Sequence, residues 1–429
     1  MEEAEIQPIL AAATRARREG RREEAARLLR GLIDSAGEHP VALNALGLLV
    51  LAEGGHDEAA GLIRRAIAAD PNSSDLWMNL ARVHRDRGED PAERTALEGA
   101  LAIDQRHFMA LVRMAEWFER TGDAARAAER WSGVLAMSGM IEQRGPGLDA
   151  VLEHARDQVA RQRAGFAATV EQALAGARAP LDPADRRRFD ACIDHALGRR
   201  QIYANQCAGL HFPFLPAEEF FERRHFPWLE EIEAKTDIIR AELEALLADP
   251  DPGIEPYVTM EPGTPANRWS PLDGSLDWGG LHLWKHGRRN DEVCARAPRT
   301  AAAIEALPLS DLPGRTPTIY FSLLRPGTHL PAHSGVSNVR TIVHLPLIIP
   351  PGCTFRVGGE TRNWEVGTAW GFDDTIEHEA WNRSDQLRAI LIFDVWNPYI
   401  RETERDLLRR FFAVTESSGH AGDAAVSVG

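Results

Sequence analysis

The chain has 429 residues, which at about 150 residues per domain predicts two or three domains, and its 44% apolar content argues against wholesale disorder. A formal net charge of −15 argues against a general nucleic-acid binder, which needs a basic surface for phosphates, and weighs against an anionic membrane partner. Cys192, Cys207, Cys294 and Cys353 form no CxxC pair, and the sequence has neither a basic-then-apolar leader nor an apolar run of about 18 residues. The expectation is a reduced, cytoplasmic protein with no zinc ribbon, disulfide framework or membrane span.

The first third repeats itself. Gly20, Gly54, Gly88 and Gly122 are spaced by 34 residues, and Leu46, Leu80 and Met114 keep the same step. Gly47, Ala81 and Ala115 do so too, as do Ala25 and Ala59 with Ala127 further on, while Glu93 breaks that alanine column and Gln105 replaces the proline at Pro71. This is the tetratricopeptide pattern: each helix pair has an apolar stripe that only stacking buries, and small residues let the helices approach. Residues 1–140 are therefore expected to be helical repeats. Such repeats present a concave face to a peptide or protein; that they only brace the neighbouring domain or form a dimer stays open. Residues 141–190 read as a helical linker ending near Pro180 and Pro183.

Phe214 to Glu219 reads as the opening of a helical stretch. Trp228 to Leu247 follows as one long amphipathic helix, stopped by Asp249-Pro250-Asp251-Pro252. After about residue 255 the character changes to short β-rich runs: Thr318–Leu324, Val339–Ile348, Thr354–Val357, Thr368–Phe372 and Leu387–Val395. Gly358-Gly359 reads as a hairpin turn, and many short strands in one block predict a sandwich or jelly roll. A last amphipathic helix, Glu402 to Val414, precedes a tail expected to fray from about residue 416. The predicted fold is thus multidomain α + β, a helical solenoid followed by a jelly-roll domain at 191–415.

The β-rich block also holds the chemistry. His378 lies 45 residues past His333, so two imidazoles from different strands can line one mouth, as an iron site that keeps positions open for O2 requires. Arg388 opens the strand Leu387–Val395, where alternation puts it on one face with Ile390 and Ile392. A guanidinium in an apolar interior needs an anion.

Residues from about Phe214 to Pro398 resemble the aspartyl/asparaginyl β-hydroxylase family. The resemblance is carried by Gly327-Thr328-His329, Asn338-x-Arg340, His344-Leu345-Pro346-Leu347, the run Phe372 to Trp381, and Asp394-Val395-Trp396-x-Pro398. Leu283-Trp284-x-x-Gly287, Cys294 and Ala297-Pro298 also fit. The resemblance implies a double-stranded β-helix enzyme that uses Fe(II), 2-oxoglutarate and O2 to hydroxylate the β-carbon of an Asp or Asn residue in a peptide or protein. Gly335 stands where the usual carboxylate ligand would be, so His333 and His378 are implied as the only protein ligands, with water completing the shell. Ser322, His344 and Arg388 are implied to hold 2-oxoglutarate. Where the family usually has a second Arg, two residues before His344, this chain has Ile342. Arg340, on the same strand face as His344, is assigned a share of that role.

Two other readings stand beside this one. The first is a degenerate β-domain in a repeat-based scaffold. The second is a halogenase using the gap at Gly335. His329 reads as a turn residue, Asp373 and Asp374 as loop-shaping, and Trp284, Lys285, Arg288 and Arg289 as either a substrate entrance or an ordinary loop.

Overall fold

The computed structural model describes residues 3–141 and 145–418, divided into two compact units, Met1–Pro180 and Leu181–Gly429. The described part of the first unit is four helix pairs and a long helix. The pairs are Glu3–Arg18 with Arg22–Ala36, Pro40–Ala52 with His56–Ala69, Ser74–Asp86 with Asp90–Ile103, and Phe108–Arg120 with Ala124–Met137. Each pair turns at one of the 34-step glycines, whose φ values are 78°, 84°, 70° and 83°, a region that residues with a Cβ resist. The small-residue column also works as expected: a Cβ on Gly47 would lie 2.9 Å from Cγ1 of Ile63. Glu93, the break in the alanine column, is buried and bonds Nη2 of Arg120 at 2.6 Å.

Pro146–Arg178 is one helix whose Leu152, Ala155 and Val159 join the repeat core, covering the apolar face that a last repeat leaves open. Pro183–Ala196 belongs to the second unit. The division between units falls between Pro180 and Leu181.

The second unit contains β1 (Glu255–Pro256), β2 (Trp278–Lys285), β3 (Arg288–Arg289), β4 (Ile319–Leu324), β5 (His329–His333), β6 (Arg340–Ile348), β7 (Cys353–Val357), β8 (Glu360–Asn363), β9 (Trp370–Phe372), β10 (His378–Asn382) and β11 (Arg388–Trp396). They form two antiparallel sheets. The larger runs β1-β2-β4-β11-β6-β9 with β3 on β2, and the smaller runs β5-β10-β7-β8. Alternation sends one set of side chains to each face. Tyr320, Leu324, Ile390 and Ile392 of the larger sheet meet Leu330, Phe355, Val357 and Ala380 of the smaller in an inner core. Phe321, Val343, Leu391 and Phe393 form an outer core with Ile239, Leu243 and Ile304 of the helices Thr236–Leu247 and Pro298–Glu305.

Two helical expectations change. Trp228 to Leu247 is two helices, Leu229–Glu233 and Thr236–Leu247, because Oγ1 of Thr236 donates to the Glu233 carbonyl at 2.6 Å and restarts the chain. Residues 201–219 contain no helix: Pro213 and Pro216 push the residues before them into extended backbone, and Phe214 between them has φ 67°. The Gly358-Gly359 hairpin is present, with Val357 opposite Glu360. The last helix runs Glu402–Ser417, and most of the expected tail, 419–429, lies outside the described residues. All four cysteines are free, and no described helix is long and apolar enough to cross a membrane.

Candidate active site

His333 ends β5 and His378 opens β10, and the sheet register sets them opposite each other with ring centroids 4.1 Å apart. Nδ1 of His333 lies 2.7 Å from the Pro331 carbonyl and Nδ1 of His378 lies 3.0 Å from the Ile376 carbonyl. A carbonyl only accepts, so each ring carries its proton on Nδ1 and keeps the Nε2 lone pair free, the form in which imidazole binds a metal. Burial, helped by the neighbouring His378, holds His333 well below its ordinary value, and burial lowers His378 to about 4. Both rings are neutral at pH 7. Among the described residues no group of three His, Cys, Asp or Glu is placed to share a metal ion.

The space beside Gly335 is taken. A Cβ there would stand 2.1 Å from Oδ2 of Asp374. That oxygen accepts from Nη2 of Arg340 at 3.0 Å, while Oδ1 of Asp374 is buried with no hydrogen-bond partner among the described residues. Nη1 of Arg340 donates to Oδ2 of Asp394 at 2.9 Å. Burial opposes the charge on Arg340, but the two carboxylates outweigh it and hold the guanidinium above its ordinary range. Arg340 lines the cavity, and its charge is met by the buried carboxylates of Asp374 and Asp394.

Arg388 is the opposite case. It is 1% exposed, and no carboxylate lies within ion-pairing distance of it among the described residues. Its Nη1 donates to the carbonyl and to Oγ of Ser322 at 3.3 and 3.2 Å, and its Nε has no partner. Burial pulls it down to about 10. The register brings Ser322 opposite Ile390 and His344 opposite Ile392, so both flank Arg388's strand on the inner face. Nδ1 of His344 accepts from Nε1 of Trp364 at 3.3 Å, and Oγ of Ser322 accepts from Nε1 of Trp278 at 3.1 Å. Ser322, His344, Arg388, His333, His378, Arg340 and Asp374 all line one cavity of about 600 Å3.

The remaining candidates fall elsewhere. His329 is on the outside, stacked on Trp381 at 5.0 Å and bonded to Glu379. Asp373 shapes its loop: Oδ1 accepts from the N–H and hydroxyl of Thr375, and Oδ2 from Asn205. Trp284 packs into the outer core and Lys285 lines the cavity. Trp278 and Trp364 were not legible as site residues. A period-two pattern around Trp278 is blurred by Gly279-Gly280, and Trp364 lies in the connection between β8 and β9.

Comparison with known proteins gives three findings. Residues 233–398 match the family described as Aspartyl/Asparaginyl beta-hydroxylase, a span that holds every candidate site residue, and residues 10–74 and 45–108 match the tetratricopeptide repeat. The aspartyl/asparaginyl beta-hydroxylase of Mus musculus is 42% identical over 131 residues, 30% of this chain and 17% of that protein. The ornithine lipid ester-linked acyl 2-hydroxylase of Rhizobium tropici is 34% identical over 181 residues, 42% of this chain and 60% of that protein. The chain thus spans under a fifth of the first relative and three fifths of the second. A crystal structure of MamA aligns with 36% of this chain and 96% of its own, at 16% identity and TM-score 0.29. Residues 233–398 are thus similar to the aspartyl/asparaginyl beta-hydroxylase family, and the stretch matching tetratricopeptide repeats precedes them.

Proposed function

We propose that this chain is an Fe(II)- and 2-oxoglutarate-dependent oxygenase that hydroxylates the β-carbon of an Asp or Asn residue in a peptide or protein. The observation that carries this reading is Arg388: a buried cation without a carboxylate partner among the described residues, in the same cavity as two imidazoles with free Nε2 atoms. His333 and His378 suit Fe(II), because both are neutral and their Nδ1 protons are already engaged. Arg388, Ser322 and His344 suit the 2-oxoglutarate carboxylates. When bound, iron with 2-oxoglutarate and O2 supplies the oxidising chemistry, giving succinate and CO2 as one oxygen is added to a carbon. The chain's own share is to orient the co-substrate and exclude water. We read the two facing sheets as a double-stranded β-helix; the orders β4-β11-β6-β9 and β5-β10-β7-β8, with successive strands β4 and β5 in different sheets, support this.

The halogenase alternative loses support, because the place a halide would take beside Gly335 is filled by the carboxylate of Asp374. A scaffold role for a degenerate domain loses support from the intact set His333, His378 and Arg388. One second reading of the substrate has an observation behind it. Ile342, Ile392 and Phe372 make the cavity wall between Arg388 and Arg340 apolar, which suits an acyl chain, the group in the Rhizobium relative's name. The repeats suit a peptide or protein partner, held on their concave face. The test is to incubate the protein with Fe(II), 2-oxoglutarate and either a peptide library or acylated lipids. A mass gain of one oxygen on an Asp or Asn peptide is expected. Oxygen added only to acyl chains would replace the substrate, and no oxygen transfer to either would overturn the reading.

A further inference from the structure

We infer that Trp278 and Trp364 are positioning residues whose indole N–H groups make the Arg388 end of the cavity a surface of hydrogen-bond donors only, built for a carboxylate. This rests on the co-substrate reading above.

A serine hydroxyl has one proton and two lone pairs. In Ser322, Oγ accepts from Nε1 of Trp278 at 3.1 Å and from Nη1 of Arg388 at 3.2 Å. Both lone pairs are used, so the remaining interaction of Ser322 is to donate its proton. A neutral imidazole has one donor and one acceptor nitrogen, and which is which depends on the neighbours. In His344, Nδ1 lies 3.3 Å from Nε1 of Trp364. An indole N–H only donates, so Nδ1 must accept and the proton stands on Nε2. His344 lines the cavity and is buried. It therefore offers a donor there as well.

Arg388 supplies the third set of donors, with Nε unpartnered and its Cζ 5.1 Å from the centroid of the Trp364 ring. Without the two indoles, Ser322 and His344 could each turn a lone pair toward the anion. With them, neither can. Trp278 and Trp364 come from outside the strands of Ser322, His344 and Arg388, so this arrangement depends on tertiary packing. Trp278 is on β2 and stacks on Tyr257 at 3.9 Å; Trp364 lies against Phe355 at 5.4 Å and Trp370 at 6.2 Å. A phenylalanine at 364 keeps an aromatic ring in that stack and removes only the donor.

The test is 15N NMR of the histidine tautomers in the metal-free full chain, with the His344 signal identified by its loss in His344→Asn, combined with binding of 2-oxoglutarate to the Fe(II)-loaded protein. Wild type should show His344 as a single Nε2–H tautomer. Trp364→Phe should show a mixture and bind 2-oxoglutarate about tenfold more weakly, as expected for loss of one well-placed hydrogen bond to a charged group. Trp278→Phe should weaken binding in the wild-type background and add nothing in a Ser322→Ala background. His344 carrying its proton on Nδ1 in wild type overturns the inference, and needs no variant to fold. So does a Trp364→Phe protein with tautomer and affinity unchanged. If wild type binds no 2-oxoglutarate while His344 is the Nε2–H tautomer, the co-substrate assignment falls and the tautomer lock stands.

Discussion

Arg388 carries a buried charge that nothing among the described residues neutralises. Arg340, which lines the same cavity, is neutralised by Asp374 and Asp394. Arg388→Ala should weaken 2-oxoglutarate binding by about 2–5 kcal/mol, the usual effect of removing one partner of a buried charge pair. Calorimetric titration of both proteins checks this, and equal affinities would move the anion elsewhere. Gly335 gives a second prediction. A Cβ there would meet the Asp374 carboxylate, so Gly335→Ala should destabilise the second unit by about 1–3 kcal/mol, the range for overpacking. Denaturant titration reads it, and an unchanged midpoint would mean that Asp374 moves aside freely. At this scale the sequence was informative where identity and spacing suffice. His333, His378 and Arg388 could be picked out by residue type and spacing, and the structure brings them to one cavity. The neutralisation of Arg340 could not be foreseen, because Asp374 and Asp394 lie 34 and 54 residues away and ion pairs leave no periodic trace.

Secondary elements were legible in proportion to their apolar content. β4, β6 and β11 are buried on both faces and stand out as continuous apolar runs. β5 and β10 escaped notice because they are five residues each and turn a histidine into the core where a Leu or Val would have marked them. β2 was hidden by Gly279-Gly280. The break at Thr236 was hidden because a side-chain hydrogen bond ends the first helix without disturbing the apolar pattern. In the repeats, the 34-residue glycine column predicted a backbone property, and every member has positive φ. Gly88→Ala should cost about 1–2 kcal/mol, the penalty for a Cβ in the left-handed region. Chemical denaturation of the repeats should report it, and a neutral result would mean that the turn can adopt another conformation.

The whole chain consists of two units with separate cores, one of stacked helices and one of sheets and helices. A protein beginning at Leu181 should therefore fold on its own and keep the His333, His378, Ser322, His344 and Arg388 cavity, all of which it contains. If the repeats hold the substrate, removing them should raise KM for a long peptide far more than it changes turnover of 2-oxoglutarate alone. Thermal melts and both activities decide this: unchanged kinetics toward the long peptide would remove the docking role, and an unfolded fragment would make the repeats a brace. The most direct single measurement is the rate of succinate formation from 2-oxoglutarate by the full chain with and without Fe(II), in wild type and in His333→Ala and His378→Ala. Iron-dependent succinate in wild type, lost in both folded variants, is the predicted result. Succinate formation that persists in either variant, or that is absent from iron-loaded wild type, would contradict it.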